Sequence, residues 1–182
     1  MKSTLKKSLL LIGILILLIF LLVIFLKKPT DIPFNRIKLN EENIIVNRAT
    51  QPYLDTIVNV GLDELNIQKI LVVIRPITSE IKTQLNQKET DLDVKAFIVG
   101  KNNQYIIYIV DMDRNSSMDV ISHELIHLQQ TESGKLVKGT QSVIWEGIEY
   151  SSQIEYDKRP WEIEAYSNSN DLKHKIQNRL IK

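Results

Sequence analysis

The apolar run from Ser8 to Leu26 constrains the fold of this chain more than any other stretch. It reads SLLLIGILILLIFLLVIFL, which is 19 residues with one glycine and no charge. As an α-helix it is about 28 Å long, close to the thickness of the hydrocarbon layer of a bilayer. A helix on the surface of a water-soluble core would need a polar face, and this run has none. The run therefore predicts one N-terminal transmembrane helix.

A cleaved signal peptide is the alternative interpretation of this run. The apolar region of a signal peptide is usually about 7–15 residues long and ends at a small-residue cleavage site. Here the run is longer and ends at Phe25-Leu26-Lys27-Lys28, where there is no such site. We therefore expect a retained anchor over residues 1–28 that crosses a lipid bilayer through residues 8–26.

Basic residues on both sides of the run bear on its orientation. They are Lys2, Lys6 and Lys7 before the run, and Lys27, Lys28, Arg36 and Lys38 after it. The two counts nearly cancel under the positive-inside rule. The lysines before the run resemble the start of a signal anchor, which favours a cytoplasmic N-terminus. We therefore expect a single-pass membrane protein whose domain lies outside the cytoplasm.

The charge of the remaining chain excludes one class of partner. The chain has 23 basic and 22 acidic residues, and five of the basic ones precede residue 29, which leaves 18 against 22 and a net charge of −4 for residues 29–182. Nucleic-acid binders rely on basic side chains that neutralise phosphates, so no nucleic-acid partner is expected. Residues 29–49, with Pro29 and Pro33, are typical of a juxtamembrane tether. Residues 50–182 are enough for one domain.

The chain contains no cysteine, which limits its chemistry further. Disulfide scaffolds, thiolate zinc fingers, iron–sulfur centres and thiol nucleophiles are all excluded. Any metal site must therefore be built from histidine and acidic side chains.

Apolar patterns after residue 50 predict an α+β fold. Helices are expected over 52–65, 79–87, 117–130, 160–168 and 171–181, and strands over 69–77, 94–100 and 104–110. Lys101-Asn102-Asn103 is typical of a hairpin loop between the last two strands, and Ser116 is expected to cap the helix that follows them. The segment 141–156 has no clean period, and a hairpin, an irregular loop and a short helix all remain open for it.

The segment His123-Glu124-Leu125-Ile126-His127 carries the strongest chemical signal. On a helix, positions i and i+4 lie one turn apart on one face, so both imidazoles can reach the same ion. Glu124 lies beside them and can accept a proton from a metal-bound water without binding the metal itself. The pattern predicts a metal centre on the helix over residues 117–130.

A catalytic zinc needs a third protein ligand and one open position. The metzincin motif would place glycine and histidine where Gln130 and Ser133 stand, so that class is excluded. His174 lies in a polar, lysine-flanked stretch and is expected to be a solvated side chain. Glu162 and Glu164, at the start of a predicted helix, are better sources of the ligand.

The HELIH segment followed about 35 residues later by Glu162-Ile163-Glu164-Ala165 resembles the gluzincin group of metallopeptidases, and its single-domain minigluzincins in particular. In that group a glutamate on a second helix is the third ligand, and in several members it precedes an alanine by three positions. The resemblance implies a zincin-like domain with a small mixed sheet and an active-site helix. It further implies a Zn²⁺ ion held by His123, His127 and Glu162.

Two departures from the family pattern leave alternatives open. Tyr166 stands where an aspartate or asparagine commonly supports a ligating histidine, so that support must come from elsewhere. Glu164 remains an alternative to Glu162 as the ligand. The resemblance also implies that the strand 104–110 has an exposed edge that can pair with an extended substrate, although a sheet strand without substrate contact fits the sequence equally well.

Tyrosines near the ligand helix are candidates for stabilising the developing oxyanion. They are Tyr150, Tyr156 and Tyr166, of which Tyr150 is the first choice. For any one of these tyrosines taken alone, packing in the core is the simpler explanation.

The expected activity is zinc-dependent hydrolysis of peptide bonds, with Glu124 as the general base and a peptide or protein as substrate. The rival interpretation is a non-enzymatic, membrane-anchored protein with a structural or degenerate zinc site. Intramembrane proteolysis is rejected because residues 116–131 are polar and only one membrane span is expected. The sequence leaves the oligomeric state open.

Overall fold

A computed structural model describes residues 42–86 and 94–181. The predicted anchor, residues 1–28, and most of the predicted tether lie outside these ranges. Within the described ranges, no helix has both the length and the apolar character that a membrane crossing requires.

Four α-helices, seven strands and one 3₁₀ turn make up the described part of the chain. In chain order they are β1 (Ile44–Asn47), α1 (Leu54–Glu64), β2 (Leu71–Pro76), α2 (Ser79–Asn86), β3 (Ala96–Lys101), β4 (Gln104–Ile109), α3 (Arg114–Glu132), β5 (Leu136–Lys138), β6 (Ser142–Trp145), β7 (Ile148–Ser151), the 3₁₀ turn (Tyr156–Lys158) and α4 (Pro160–Leu180).

The larger sheet is small and mixed, and its strand order is β1-β2-β4-β3. Strands β1 and β4 both run parallel to β2, whereas β3 runs antiparallel to β4. The first four residues of β2 are all buried, as expected for an apolar central strand covered on both faces. The predicted α+β class with a small mixed sheet is therefore confirmed.

Strand β1 shows that the domain begins earlier than the boundary predicted at residue 50. Ile44–Asn47 lie within the range assigned to the tether, yet they pair with Leu71–Ile74 of β2. Ile44, Ile45 and Val46 are β-branched residues that favour a strand, and pairing with a buried central strand stabilises this short segment.

The predicted hairpin is present, and its connection is a two-residue turn. Lys101 pairs with Gln104, so it belongs to β3 and not to the loop. Asn102 and Asn103 have φ values of 53° and 63°. Asparagine tolerates this left-handed region, which is what a tight turn between antiparallel strands requires.

The position of β4 corrects the expectation of an exposed edge on that strand. Strand β4 lies between β2 and β3 and is hydrogen-bonded on both sides. Among the described strands, β3 is the one with an unpaired side at this end of the sheet. The hairpin was predicted from local sequence, but the partner on the far side of β4 depends on a parallel contact with β2 that local sequence does not encode.

Helix α3 carries the HELIH segment and begins at Arg114, earlier than predicted. Asp113, and not Ser116, is its N-cap, because the Asp113 carboxylate accepts hydrogen bonds from the backbone N–H groups of Asn115 and Ser116. The apolar stripe of α3 faces the core, where Ile121 and Leu125 are fully buried. This packing fixes the opposite helix face, and with it the direction of the two histidines.

Helix α4 runs without a break through the two helices predicted at its position. Pro160 occupies its first turn, where a missing backbone N–H costs nothing. Leu172 and Ile176 are buried against the core in the second half of the helix. Gly61 of α1 permits this close packing, since a Cβ there would lie 3.2 Å from Ile176 Cδ1.

The segment 141–156, left open by the sequence, forms the hairpin β6–β7 and the chain that follows it. With β5 it makes a three-stranded antiparallel sheet of order β5-β6-β7. Leu136 and Trp145 of this sheet pack on Trp161 of α4. The smaller sheet therefore rests on the start of the helix that carries the predicted third ligand.

Candidate metal centre

The structure brings His123, His127 and Glu162 together. Both imidazoles project from adjacent turns of α3, and their Nε2 atoms lie 3.1 Å apart. The Oε2 atom of Glu162, from the first turn of α4, lies 3.2 Å from Nε2 of His123 and 3.1 Å from Nε2 of His127. Among the residues that the structure describes, these three form the group able to hold a metal ion.

The triangle formed by these three atoms fits a small divalent cation. Zinc bonds to histidine nitrogen and carboxylate oxygen are about 2.0–2.2 Å long, so neighbouring ligand atoms of a tetrahedral site lie about 3.3 Å apart. The separations of 3.1–3.2 Å are close to that edge length. Two nitrogens and one carboxylate oxygen are also donors that suit zinc. The residues present therefore fit the ion that the sequence implies.

Glu164, the alternative ligand, lies outside this triangle. Its Oε1 atom accepts a hydrogen bond of 2.8 Å from Lys135 Nζ, and its Oε2 atom accepts one of 3.0 Å from Gln130 Nε2. Residues two apart on a helix do not share a face, so only one of the two glutamates can face α3 at the histidines. The structure assigns that position to Glu162.

Gln130 holds His127 in the orientation that metal binding requires. Its Oε1 atom lies 2.8 Å from Nδ1 of His127, and its Nε2 atom donates to the carbonyl of Trp161 at 2.9 Å. A carbonyl and a carboxylate accept from the amide nitrogen, so the amide oxygen must face His127 and Nδ1 must be the donor. The Nε2 atom of His127 is thereby left for the ion. Gln130 is only 2% exposed, which protects this arrangement from water.

His123 is held differently. Its Nδ1 atom is buried and has no hydrogen-bond partner in the described part of the chain. The ring of Tyr166 packs against it, with the ring centroids 4.5 Å apart. Tyr166 thus supports this imidazole by ring contact, and the polar support in this centre falls on His127 through Gln130.

Glu124 lies beside the triangle in a position suited to proton transfer. It is 7% exposed and lines the same cavity as the three candidate ligands. Burial raises the pKa of the Glu124 carboxyl, and electrostatic interactions with His127, His123 and Lys138 only partly oppose this. A carboxylate with a raised pKa is a stronger base, as a group that must accept a proton requires.

Glu162 and His127 each stabilise the charged form of the other. Burial alone would raise the pKa of Glu162, but hydrogen bonds from His123, His127 and Tyr156 hold it well below its ordinary value. Burial alone would lower the pKa of His127, and the contact with Glu162 outweighs it and raises that pKa. Glu162 is therefore ionised, as a metal ligand must be.

The tyrosines fall into two groups. Tyr156 donates a hydrogen bond of 2.9 Å to Glu162 Oε2, and both Tyr156 and Tyr166 line the cavity. Tyr150, the first choice from sequence, packs its ring against Trp161 beneath the smaller sheet, with the centroids 5.9 Å apart, and is not part of the cavity lining. Burial and the contacts with Tyr166 and Glu162 raise the pKa of Tyr156, so its hydroxyl stays protonated and able to donate.

A cavity of ≈640 Å³ opens over the candidate ligands. Its lining includes the segment 94–98, which leads into and includes part of β3, and Lys138 at the end of β5. His174 is exposed on α4 and is not part of the ligand group, in line with the solvated role expected for it. The cavity gives a chain of several residues access to the triangle and to Glu124.

Two residues of this site were missed or ranked low from sequence. Gln130 lies three positions after His127 on the same helix, and this spacing alone was a usable signal that the two side chains are neighbours. Tyr156 was only one of three tyrosines, because its position depends on the 3₁₀ turn before α4. No sequence pattern in 141–156 indicated that turn.

Comparison of the chain with protein-family models, with curated proteins and with solved structures finds no match.

We predict that Gln130→Leu weakens zinc binding by about 10–100-fold, the usual cost of removing the partner that orients a ligating histidine. The reason is that His127 loses the acceptor that fixes its Nδ1 proton. Competition with a zinc-binding dye measures the affinity. Gln129→Leu is the matched control, since Gln129 is half-buried on the same helix and takes no part in the triangle. Equal zinc affinity of wild type and Gln130→Leu would contradict the role given to Gln130.

Proposed function

We propose that this protein is a membrane-anchored, zinc-dependent peptidase of gluzincin type. One observation supports the proposal most. The side chains of His123, His127 and Glu162 are placed to bind one ion, and Glu124 lines the same cavity beside them. A structural zinc site usually has four protein ligands, whereas a catalytic one has three and an open position. Three ligands that all border a cavity favour the catalytic kind.

The ligands and the acid divide the work of the proposed reaction. A zinc ion held by His123, His127 and Glu162 would lower the pKa of a bound water and polarise the carbonyl of the scissile peptide bond. Glu124 accepts the proton of the attacking water and later delivers it to the leaving amine. Gln130 holds the His127 ring in its metal-binding orientation throughout the reaction.

Tyr156 is the tyrosine best placed to stabilise the developing oxyanion. Its hydroxyl contacts Glu162 Oε2 and is therefore within reach of groups bound at the triangle. A neutral phenol that donates a hydrogen bond stabilises negative charge as it develops. We therefore propose Tyr156, and not Tyr150 as first predicted from sequence, as the residue that stabilises the oxyanion.

The edge of β3 is the surface on which an extended substrate is proposed to bind. The segment 94–98 lines the cavity, and one side of β3 has no partner strand within residues 42–86 and 94–181. Backbone N–H and C=O groups of such an edge pair with an added strand and hold it in one register. A peptide bound there passes the triangle with its own backbone fixed.

The anchor and the location of the protein remain part of the proposal. Residues 8–26 are long and apolar enough to cross a bilayer once. The lysines before them favour a cytoplasmic N-terminus, which places the peptidase domain outside the cytoplasm. The substrate would then be a peptide or protein at the outer membrane surface.

Removal of the metal tests the proposal directly. We expect the full-length protein in a nonionic detergent to cleave a casein-like substrate or a peptide library, to lose this activity on chelation, and to regain it with zinc. Circular dichroism of the metal-free protein should keep its helical signal, because the core of the larger sheet does not depend on the ion. Unfolding on chelation would instead support the rival, a structural zinc site. Cleavage that survives complete zinc removal would refute the proposal.

Tyr156→Phe is expected to lower kcat by about 10–100-fold, since removal of one oxyanion donor costs up to about 10³-fold. The value of KM should change little, because the hydroxyl acts on charge that develops during the reaction. Steady-state kinetics on one fluorogenic peptide measure both constants. Tyr150→Phe makes the same chemical change outside the cavity and should leave kcat near the wild-type value. A larger loss of kcat in Tyr150→Phe than in Tyr156→Phe would instead identify Tyr150 as the oxyanion donor, as predicted from sequence.

A further inference from the structure

Two lysines face the cavity from different elements without an opposite charge. Lys95 directly precedes β3, and Lys138 ends β5; both side chains are exposed and line the cavity. Across residues 42–86 and 94–181, neither forms an ion pair with an acidic side chain. Their charges are therefore available to a molecule in the cavity.

The other charges of the cavity lining are already engaged. Asp119 pairs with Lys173 at 2.5 Å. Glu162 belongs to the candidate metal centre and Glu124 lies beside it, and a divalent ion held there would balance the charge of these two carboxylates. Arg159 donates from Nε to the carbonyl of Ile154 at 3.1 Å, and its guanidinium lies over the ring of Tyr156. Lys95 and Lys138 therefore leave a surplus of positive charge in the cavity.

This surplus is contrary to the charge of the domain as a whole. Residues 29–182 carry 18 basic and 22 acidic side chains, so a cavity lined by an average sample of them would have a slight excess of negative charge. A cleft lined by one sign of charge raises the local concentration of ligands with the opposite sign. The cavity wall also contains Val94, Phe97 and Ile98, which offer apolar contact beside the lysines.

We propose that the substrate of this site is an acidic peptide, with an aspartate or glutamate near the scissile bond that pairs with Lys138. The inference rests on the peptidase function proposed above and names the substrate class. Lys138 lines the same cavity as Glu124 and the three candidate ligands, so its charge acts on a molecule bound there. Lys95, on the segment leading into the proposed substrate strand, pairs with a second carboxylate further along the peptide.

Binding of charge-varied peptides tests the inference. The full-length Glu124→Gln protein, loaded with zinc in a nonionic detergent, binds fluorescein-labelled peptides of one common sequence that carry glutamate, glutamine or lysine at each position in turn. Exposed ion pairs contribute about 0.2–1 kcal/mol, so we expect glutamate to bind about two- to fivefold tighter than glutamine at one position or more. Lysine should bind more weakly than glutamine there, and 0.5 M salt should reduce the differences.

Charge reversal identifies the residue that carries the preference. In the same background, Lys138→Glu should reverse the order, so that the lysine peptide binds tighter than the glutamate peptide. Lys101→Glu is the matched control, since Lys101 ends β3 at the hairpin and is not part of the cavity lining. This control should keep the wild-type order. Fluorescence anisotropy measures each affinity.

The outcomes separate the inference from the function on which it rests. Equal binding of all peptides, no binding of any peptide, or an unchanged order in Lys138→Glu would overturn the acidic-peptide inference. Cleavage is read separately, with the zinc-loaded wild-type protein and its tightest-binding peptide. Absence of cleavage there counts against the peptidase function, while the measured charge preference still decides the inference.

Discussion

Glu124→Gln is expected to abolish peptide cleavage and to leave the zinc content equal to that of the wild type. The glutamine fills the same volume beside the triangle but cannot accept the proton of the attacking water. General acid–base catalysis of this kind contributes about 10²–10⁴-fold, so activity should fall at least to the lower limit of a sensitive fluorogenic assay. The three candidate ligands are unchanged, and the ion should bind as before. Parallel measurements of turnover and of metal content check both halves of the prediction.

The matched control for this variant is Glu149→Gln, which makes the same chemical change on the exposed face of the smaller sheet. It should keep full activity and full zinc content. Undiminished cleavage by Glu124→Gln would remove the general base from the proposed reaction. Loss of zinc from Glu124→Gln would show that this carboxylate is a ligand, contrary to its place beside the triangle.

Glu162→Ala is expected to lose zinc, and Glu164→Ala is expected to keep it. Removal of Glu162 takes one of three protein ligands from the ion, so the affinity should fall by more than the about 10–100-fold that follows loss of a ligand's supporting partner. Removal of Glu164 breaks its ion pair with Lys135 on a partly exposed surface, where such pairs contribute about 0–1 kcal/mol. Zinc content after dialysis against a weak chelator distinguishes the two variants.

The same pair of variants also controls for misfolding, because both change one glutamate in the first turns of α4. Both metal-free variants should still unfold in one cooperative transition, and Glu162→Ala should have the lower melting temperature because it removes buried contacts with His123, His127 and Tyr156. Retention of zinc by Glu162→Ala together with its loss from Glu164→Ala would reverse the assignment of the third ligand.

The candidate metal centre was predictable from sequence because its geometry is mostly local. One helical turn places His123 and His127 side by side, so five residues determine two of the three candidate ligands. The resemblance to gluzincins then selected Glu162 from two nearby carboxylates. The structure adds the physical reason, since the helix period that turns Glu162 towards α3 turns Glu164 towards Lys135 and Gln130.

Several elements of the fold were not predictable because long-range contacts decide them. Strand β1 and the interior position of β4 both depend on parallel pairing with β2, which has no local sequence signal. In α4, the polar residues 167–171 indicated a break between two helices. Burial of Ala165 and Leu172 on either side of these residues outweighs their low helix propensity and keeps the helix continuous.

The start of α3 shows how a single side chain decides a boundary. Ser116 and Asp113 are both good capping residues, and the sequence favoured the serine because Asp119 follows it three positions later. The carboxylate of Asp113 instead reaches two backbone N–H groups and begins the helix three residues earlier than predicted. The extra turn leaves the histidines on the same face, so the error in the boundary did not affect the site.

X-ray absorption at the zinc edge of the reconstituted full-length protein measures whether His123, His127 and Glu162 hold one zinc ion with an open position. We expect one zinc ion per chain, with two imidazole nitrogens and one carboxylate oxygen at about 2.0–2.2 Å and a further oxygen from solvent. In the double variant His123→Ala, Glu162→Ala this zinc signal should be lost. A wild-type spectrum with four protein ligands would contradict a catalytic zinc site. Failure of the wild-type protein to bind one zinc ion per chain would contradict the zinc site itself.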